Sequence, residues 1–265
     1  MTEATLPLPE TAGDDAWVVG PFARGEADVD EALIIFRAFK HAEHSAGTMI
    51  DVGAHRGSSL GPFARAGWRV FGFEPDPLNR SGLMAGAGAM ANVHIDHRPV
   101  SNTDGTEVTF YRSEESTGVS GLNPFLSSHE ALLTANTVSL SSFAFANTID
   151  QVDFLKIDVE GHDFAVLQGF PWKQCRPLAV LTEFEDSKTG DPGAAARMCG
   201  FLQSLGYDVY VSEWHEIIRY GISHDFRGLW KLGRGQAPSD APWGNLIAVG
   251  PELVGPLVSA ARSSV

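Results

Sequence analysis

Lys156, Asp158, Glu160, His162 and Asp163 fall within eight positions of the stretch DFLKIDVEGHDF, residues 153–164. Phe154, Leu155 and Ile157 of the same stretch have the character of a buried strand. Side chains alternate along a strand, so one running to residue 160 would set Lys156, Asp158 and Glu160 on one face. A carboxylate or a neutral imidazole placed there can take a proton from a hydroxyl as it attacks an electrophile. Asp158, last in the strand proper, is the first candidate for base or hydroxyl orienter. His162 is the second, because a helix N-terminus disfavours imidazolium. Lys156 and Glu160 are candidates for an ion pair that orients Asp158. LTEFED adds Glu183 and Glu185 at the end of another apolar run. Asp158 with one of these could hold a divalent cation that polarises a hydroxyl, or the carboxylates could bind hydroxyls directly. Hard cations have no diagnostic spacing here, so no metal site is assigned.

A second set of polar residues follows two earlier apolar runs. DVGAHRG carries Asp51, Gly53, Ala54, His55 and Gly57, and FEPDP carries Glu74, Pro75 and Asp76. Glycines at a strand-to-helix turn let the backbone approach a ligand closely. Their spacing is GxxxG, not the GxGxxG that cradles a dinucleotide pyrophosphate. Asp51 suits a cation such as an α-ammonium or a sulfonium. Glu74 lies 21 positions after Gly53, close to the place where nucleotide-binding sheets keep an acid for ribose hydroxyls. A ribose-bearing cofactor with a positive portion meets both demands, and S-adenosylmethionine is such a cofactor. An NAD(P)-dependent oxidoreductase and a catalytically silent cofactor-binding module are the alternatives. The missing third glycine speaks against the first, and the charged cluster at 156–162 against the second.

The elements that must position these residues alternate. DVDEALIIFRAFKHAEH has apolar residues at helical spacing with acids in its first turn. Short apolar strands then precede helices at GTMIDV, RVFGF, VDFLKID and PLAVLTEFE, with further strands at YDVYVSE and NLIAVG. SSLGPFARAGW reads as a helix interrupted early by Gly61-Pro62. NVHIDHRPVS and TEVTFYR read as short strands around the turn NTDG. Alternation of this kind predicts an α/β fold with a doubly wound, mostly parallel sheet, whose ligands lie beyond the carboxyl ends of the strands. One domain is expected over 28–265, preceded by a partly irregular arm over 1–27. Residues 112–136 and 214–243 are expected to be irregular, the first as a lid or binding loop. In the second, Trp214, His215, Tyr220 and Trp230 interleave with Arg219 and Arg227, either as packing or as an acceptor pocket. His94 and His97 in HIDH sit on a probable strand and face opposite ways, which is unsuited to a shared metal.

Composition bounds the partners. Nineteen basic against 33 acidic residues give a net charge of −14, which argues against general nucleic-acid binding. The two cysteines, Cys175 and Cys199, follow no metal-ligand spacing and are expected to be reduced. No signal sequence and no bilayer-spanning run is evident, so a soluble, cytoplasmic protein without membrane partners is expected; oligomeric state is open.

Taken in order, MIDVGAHRGSS, VFGFEPDP, DFLKIDVEGHDFAVLQGF and LTEFE resemble the FkbM-type S-adenosylmethionine-dependent methyltransferases, over roughly residues 47–250. KIDVEG is the most specific part. The resemblance implies a class I methyltransferase (Rossmann-like) fold of seven strands whose last, here NLIAV, is antiparallel. It implies O-methylation of a hydroxyl on a sugar, glycan or natural-product small molecule. It also implies that Asp51, Gly53 and Gly57 line the cofactor's methionine side, that Glu74 binds its ribose and that Ser101 lies near its adenine. Two departures stand out: Pro62 in the helix after the glycine turn, and VSLSSFAF without the acid often found there. Methyl transfer to an alcohol is an in-line displacement, so the oxygen must be aligned and relieved of its proton.

Overall fold

The computed structural model describes residues 17–189, 193–236, 238 and 243–265; residues 1–16 of the expected arm lie outside these. The chain runs through β1 (Trp17–Val19), α1 (Glu31–His41), β2 (Thr48–Val52), α2 (Gly61–Arg65), β3 (Arg69–Phe73), α3 (Pro77–Ala85) and β4 (Val93–Asp96). Next come β5 (Val100–Ser101), β6 (Glu107–Ser113), β7 (His129–Asn136), β8 (Val138–Ser139), α4 (Leu140–Ala146), β9 (Phe154–Ile157) and α5 (Asp163–Gln168). The last third holds β10 (Ala179–Phe184), α6 (Asp186–Thr189), α7 (Ala194–Ser204), β11 (Asp208–Trp214), β12 (Phe226–Lys231), β13 (Trp243–Val249) and α8 (Pro251–Arg262).

The main sheet has nine strands, in the order β1-β12-β11-β13-β10-β9-β2-β3-β4, rather than the seven expected. β10, β9, β2, β3 and β4 are parallel neighbours, and β13 is antiparallel to both β10 and β11. The extra pair is β12 and β1, with Trp17 opposite Trp230 and Val19 opposite Leu229. These strands come from the stretches expected to be irregular; β12 pairs locally with β11, while β1 finds its partner only across about 200 residues of chain.

Alternation along the strands separates two cores. Ile50, Val52, Phe71, Phe73, Leu155 and Ile157 pack on one face with residues of α4, α5 and α7. Met49, Val70 and Phe154 pack on the other with α1, α2 and α8. Helices on both faces bury the central strands completely, which is why β9 reads as apolar throughout except for Lys156. Register keeps the carboxyl ends level: Val52 pairs with both Phe73 and Ile157, and Ile157 with Thr182. Chain order reverses between β2 and β9, so the site rule for open sheets points to their shared end.

Three local expectations need correction. Residues 112–136 are irregular only in part: β6 and β7 pair from Glu107–Asn136 to Ser113–His129, with a further bridge from Tyr111 to Gly121, and 114–128 form the loop between them. His129 pins the loop between them, its Nδ1 accepting from Leu126 N at 2.9 Å and its Nε2 lying 2.8 Å from Val119 O. Pro62 does not interrupt a helix, since α2 starts at Gly61 and proline is tolerated in a first turn. And β9 ends at Ile157, not at 160, because Glu160 (φ 57°) and Gly161 (φ 91°) are left-handed. No described helix is long and apolar enough to cross a membrane.

Candidate active site

At the end of β2 the chain turns through Gly53 (φ 80°) and His55 (φ 48°). A Cβ on Gly53 would lie 1.9 Å from the Asp158 carbonyl oxygen, so only glycine lets this turn meet the end of β9. Gly53 N and Ala54 N donate to Phe73 O at 3.0 and 2.9 Å, and Lys156 Nζ donates to Gly53 O at 3.2 Å. Three strand ends are thereby tied at one point.

Glu74 follows β3 and is 5% exposed. Its Oε2 accepts from His55 N and its Oε1 from Asp76 N, both at 2.8 Å. Burial pushes its pKa up to about 7, against those two hydrogen bonds. Arg80 of α3 donates to the carbonyls of Glu74 and Pro75 and fixes that loop.

Two cavities meet here and share Gly53, Glu74, Ser120 and Asp158 as walls. The first is lined by apolar groups that include Phe73, Pro75, Val100, Phe110 and Leu122, with His162 at its edge. The second is polar and lined by Ala54, His55, Ser58, Ser59, Asn79 and Lys156. An apolar chamber, a buried carboxyl and a polar chamber in that order match a flat base, a ribose and a charged amino-acid tail. The Gly53 cradle and Glu74 fit S-adenosylmethionine by this chemistry.

Methyltransferase FkbM domain sequences match residues 51–209, more than half of the chain. The chain belongs to the FkbM methyltransferase family. No curated protein sequence matches it. Among solved structures it is similar to an O-methyltransferase from Bacillus cereus in complex with SAH, at 12% identity and a TM-score of 0.44, over 85% of this chain and 84% of that one. It is also similar to the O-methyltransferase TomG from Streptomyces achromogenes in complex with SAM, at 13% identity and a TM-score of 0.43, over 85% and 82% of the two chains. Likeness at these scores transfers neither substrate nor residue roles.

In this FkbM methyltransferase, Gly53, Ala54, His55, Glu74, Pro75, Lys156, Asp158 and His162 each line one or both cavities. Asp51, Gly57, Asp76, Ser101, Glu160 and Glu183 line neither. Asp51 is fully buried, and Lys156 Nζ lies 3.2 Å from its Oδ1. Beyond that contact its oxygens have no hydrogen-bond partner. It therefore stands behind Lys156. Gly57 is close-packed, a Cβ there meeting Leu83 Cδ1 at 2.7 Å. Asp76 caps α3 through Leu78 N at 2.7 Å and pairs with the Arg112 guanidinium of β6, so its carboxylate serves structure. Ser101 Oγ sits 3.0 Å from His162 Nε2, one step outside the apolar chamber. Burial pushes the His162 pKa down and leaves a neutral ring.

The early end of β9 splits the charged cluster in two. Lys156 is 3.4 Å from Asp158 Oδ2 and does not pair with Glu160. Burial opposes the Lys156 charge, but Asp51 and Asp158 outweigh it and raise its pKa. Asp163 accepts from Val159 N at 3.3 Å and Gly161 N at 3.1 Å, which curls residues 158–162 back upon α5. Glu160 consequently turns to Glu183 and to a residue absent from the sequence-based set, Lys188. Its Nζ lies 2.6 Å from Glu160, 3.0 Å from Glu183 and 3.1 Å from Glu185. Burial pushes Glu160 up to about 8 and Glu183 well above the usual range, with Lys188 opposing both. Thr117 was also missed: it lies 3.1 Å from His55 Nε2 and accepts from Asn79 Nδ2 at its carbonyl, also 3.1 Å away, roofing the polar chamber.

The aromatic residues of 214–243 divide between packing and the site. Trp214 Nε1 donates to buried Glu31 and Trp230 Nε1 to Glu213, both within the fold. Tyr220 reaches the acidic cluster, with its hydroxyl 3.4 Å from Glu185 and its ring 6.0 Å from that of Phe125.

Proposed function

We propose that this FkbM methyltransferase carries the methyl group of S-adenosylmethionine to a hydroxyl of a sugar, glycan or natural-product small molecule. One observation carries the reading. Asp158 borders both chambers, keeps 41% of its side chain exposed, and has a carboxylate oxygen within 4.8 Å of oxygens of Glu160 and Glu183. It is the point where a donor and an acceptor can meet.

When bound, the cofactor supplies an electrophilic methyl carbon on a sulfonium. Glu74 accepts hydrogen bonds from the ribose, and the apolar walls around Phe73 and Phe110 take the base. His55, Ser58, Ser59 and Lys156 offer polar contacts to the amino-acid end. Lys156 holds the Asp158 carboxylate in place, and Asp158 Oδ accepts the acceptor hydroxyl proton as the new C–O bond forms. Glu160 and Glu183 supply further acceptors for neighbouring hydroxyls. Half-buried Phe125 and Tyr220 offer ring faces of the kind on which sugars stack. The donor set does not favour a divalent cation, because the Lys188 ammonium already lies among the same carboxylates. Cys175 and Cys199 are free and buried, in keeping with a reducing, cytoplasmic setting, and the acidic surface suits a small acceptor rather than nucleic acid or membrane.

The test is incubation with trideuteromethyl-labelled S-adenosylmethionine and a panel of sugars, glycans, phenols and polyketide alcohols, followed by mass spectrometry of the products. Label on an acceptor oxygen is expected. Label only on nitrogen, carbon or sulfur would contradict hydroxyl transfer, and cofactor binding with no product from any acceptor class would favour a silent module.

A further inference from the structure

Lys188 stands where the acidic cluster would otherwise gather a metal ion. Asp158, Glu160 and Glu183 each present a carboxylate oxygen, and the three oxygens lie within 4.8 Å of one another, a spacing that suits a hard cation. Lys188 reaches into that cluster from α6. Its ammonium is 2.6 Å from Glu160 Oε2, 3.0 and 3.1 Å from the two Glu183 oxygens and 3.1 Å from Glu185 Oε2, and its side chain is 2% exposed. An ammonium has three donors, and three carboxylates face this one. The rings of Phe125 and Tyr220 complete the shell at 5.6 and 5.8 Å from the nitrogen, within cation–π range. Left-handed Gly161 (φ 91°) makes room for this: a Cβ there would meet Lys188 Cβ at 3.2 Å. Buried charge at this density contributes little to stability compared with apolar packing, which points to a use beside Asp158.

We propose that Lys188 is a positioning residue, a covalently attached cation that holds Glu160 and Glu183 around the acceptor and makes methyl transfer independent of a divalent metal. The inference rests on the O-methyltransferase reading of the same site. A mobile ion entering beside the ammonium would face like-charge repulsion at close range. Removing the ammonium leaves Glu160 and Glu183 without the cation that holds them, beside an Asp158 still paired with Lys156, and such a group of carboxylates can recruit a cation from solution.

The test uses the full chain and Mn²⁺ as the probe, read by the loss of its free-ion electron paramagnetic resonance signal. Wild-type protein is expected to leave the signal of about 1 mM Mn²⁺ unchanged, and its turnover is expected to survive EDTA. Lys188→Ala and the bulkier Lys188→Met are expected to bind Mn²⁺ and to lose at least about tenfold in turnover. Added Mn²⁺ or Mg²⁺ restores part of that loss, and Lys188→Arg retains turnover without metal. Mn²⁺ binding by wild type at this cluster, loss of wild-type turnover in EDTA, or failure of both neutral variants to bind Mn²⁺ would each overturn the proposal. The wild-type measurements hold even if the variants fail to fold. Calorimetry with S-adenosylmethionine on the same samples separates this outcome from failure of the methyltransferase reading, because Mn²⁺ binding requires no methyl donor.

Discussion

Glu74 joins the two chambers, and its protonation is expected to govern how firmly the cofactor sits. A ribose hydroxyl donates more strongly to a carboxylate than to a neutral carboxyl group. Burial holds the Glu74 pKa near 7, so the group is largely protonated at pH 6 and ionised at pH 8. Affinity for S-adenosylmethionine is therefore expected to rise about three- to tenfold across that interval. Calorimetric titration at both pH values checks this, and Glu74→Gln should show weak binding with little pH dependence. Glu74 was legible because its distance from Gly53 follows from strand, turn and helix lengths that every nucleotide-binding sheet shares. Asp76 looked equivalent, yet its carboxylate belongs to Arg112, 36 positions further on, and no local pattern announces that. Lys188 was illegible for the same reason. Its partners come from the turn after β9, from β10 and from the residue after that strand, and a lone lysine following a strand has no signature.

The β6–β7 hairpin and its loop cover both chambers. Polar and glycine-rich residues hid its pairing in the sequence. Ser120, Gly121 and Leu122 line the apolar chamber, and Thr117 and Gly118 the polar one. One ion pair, Arg112 to Asp76, ties it to the loop that carries Glu74. Arg112→Ala is expected to leave the sheet intact, speed amide exchange across residues 107–136, and raise the cofactor dissociation rate several-fold. Hydrogen exchange with stopped-flow release measures both, and unchanged exchange would show that the hairpin is held by other contacts. The turn after β9 teaches a similar lesson. Gly161 marked a break in the sequence, but the strand stops earlier because the Asp163 carboxylate collects the amides of Val159 and Gly161.

At the scale of the whole molecule, the alternation of strands and helices was enough to predict the parallel centre of the sheet. It was not enough for β1 and β12, whose pairing across the chain creates the outer edge. Both cores converge on the same arrangement: five parallel strands deliver their carboxyl ends to one side, and the Gly53 turn, Glu74, Asp158 and the Lys188 cluster follow from that placement. The proposed role of Asp158 is to join the donor chambers to the acceptor side. Its most direct test is single-turnover methyl transfer by wild type and Asp158→Asn, each preloaded with S-adenosylmethionine and mixed with an acceptor from the panel. The rate is expected to fall by about 10²- to 10³-fold in Asp158→Asn, with cofactor affinity within about threefold of wild type. An unchanged rate in Asp158→Asn would contradict that role.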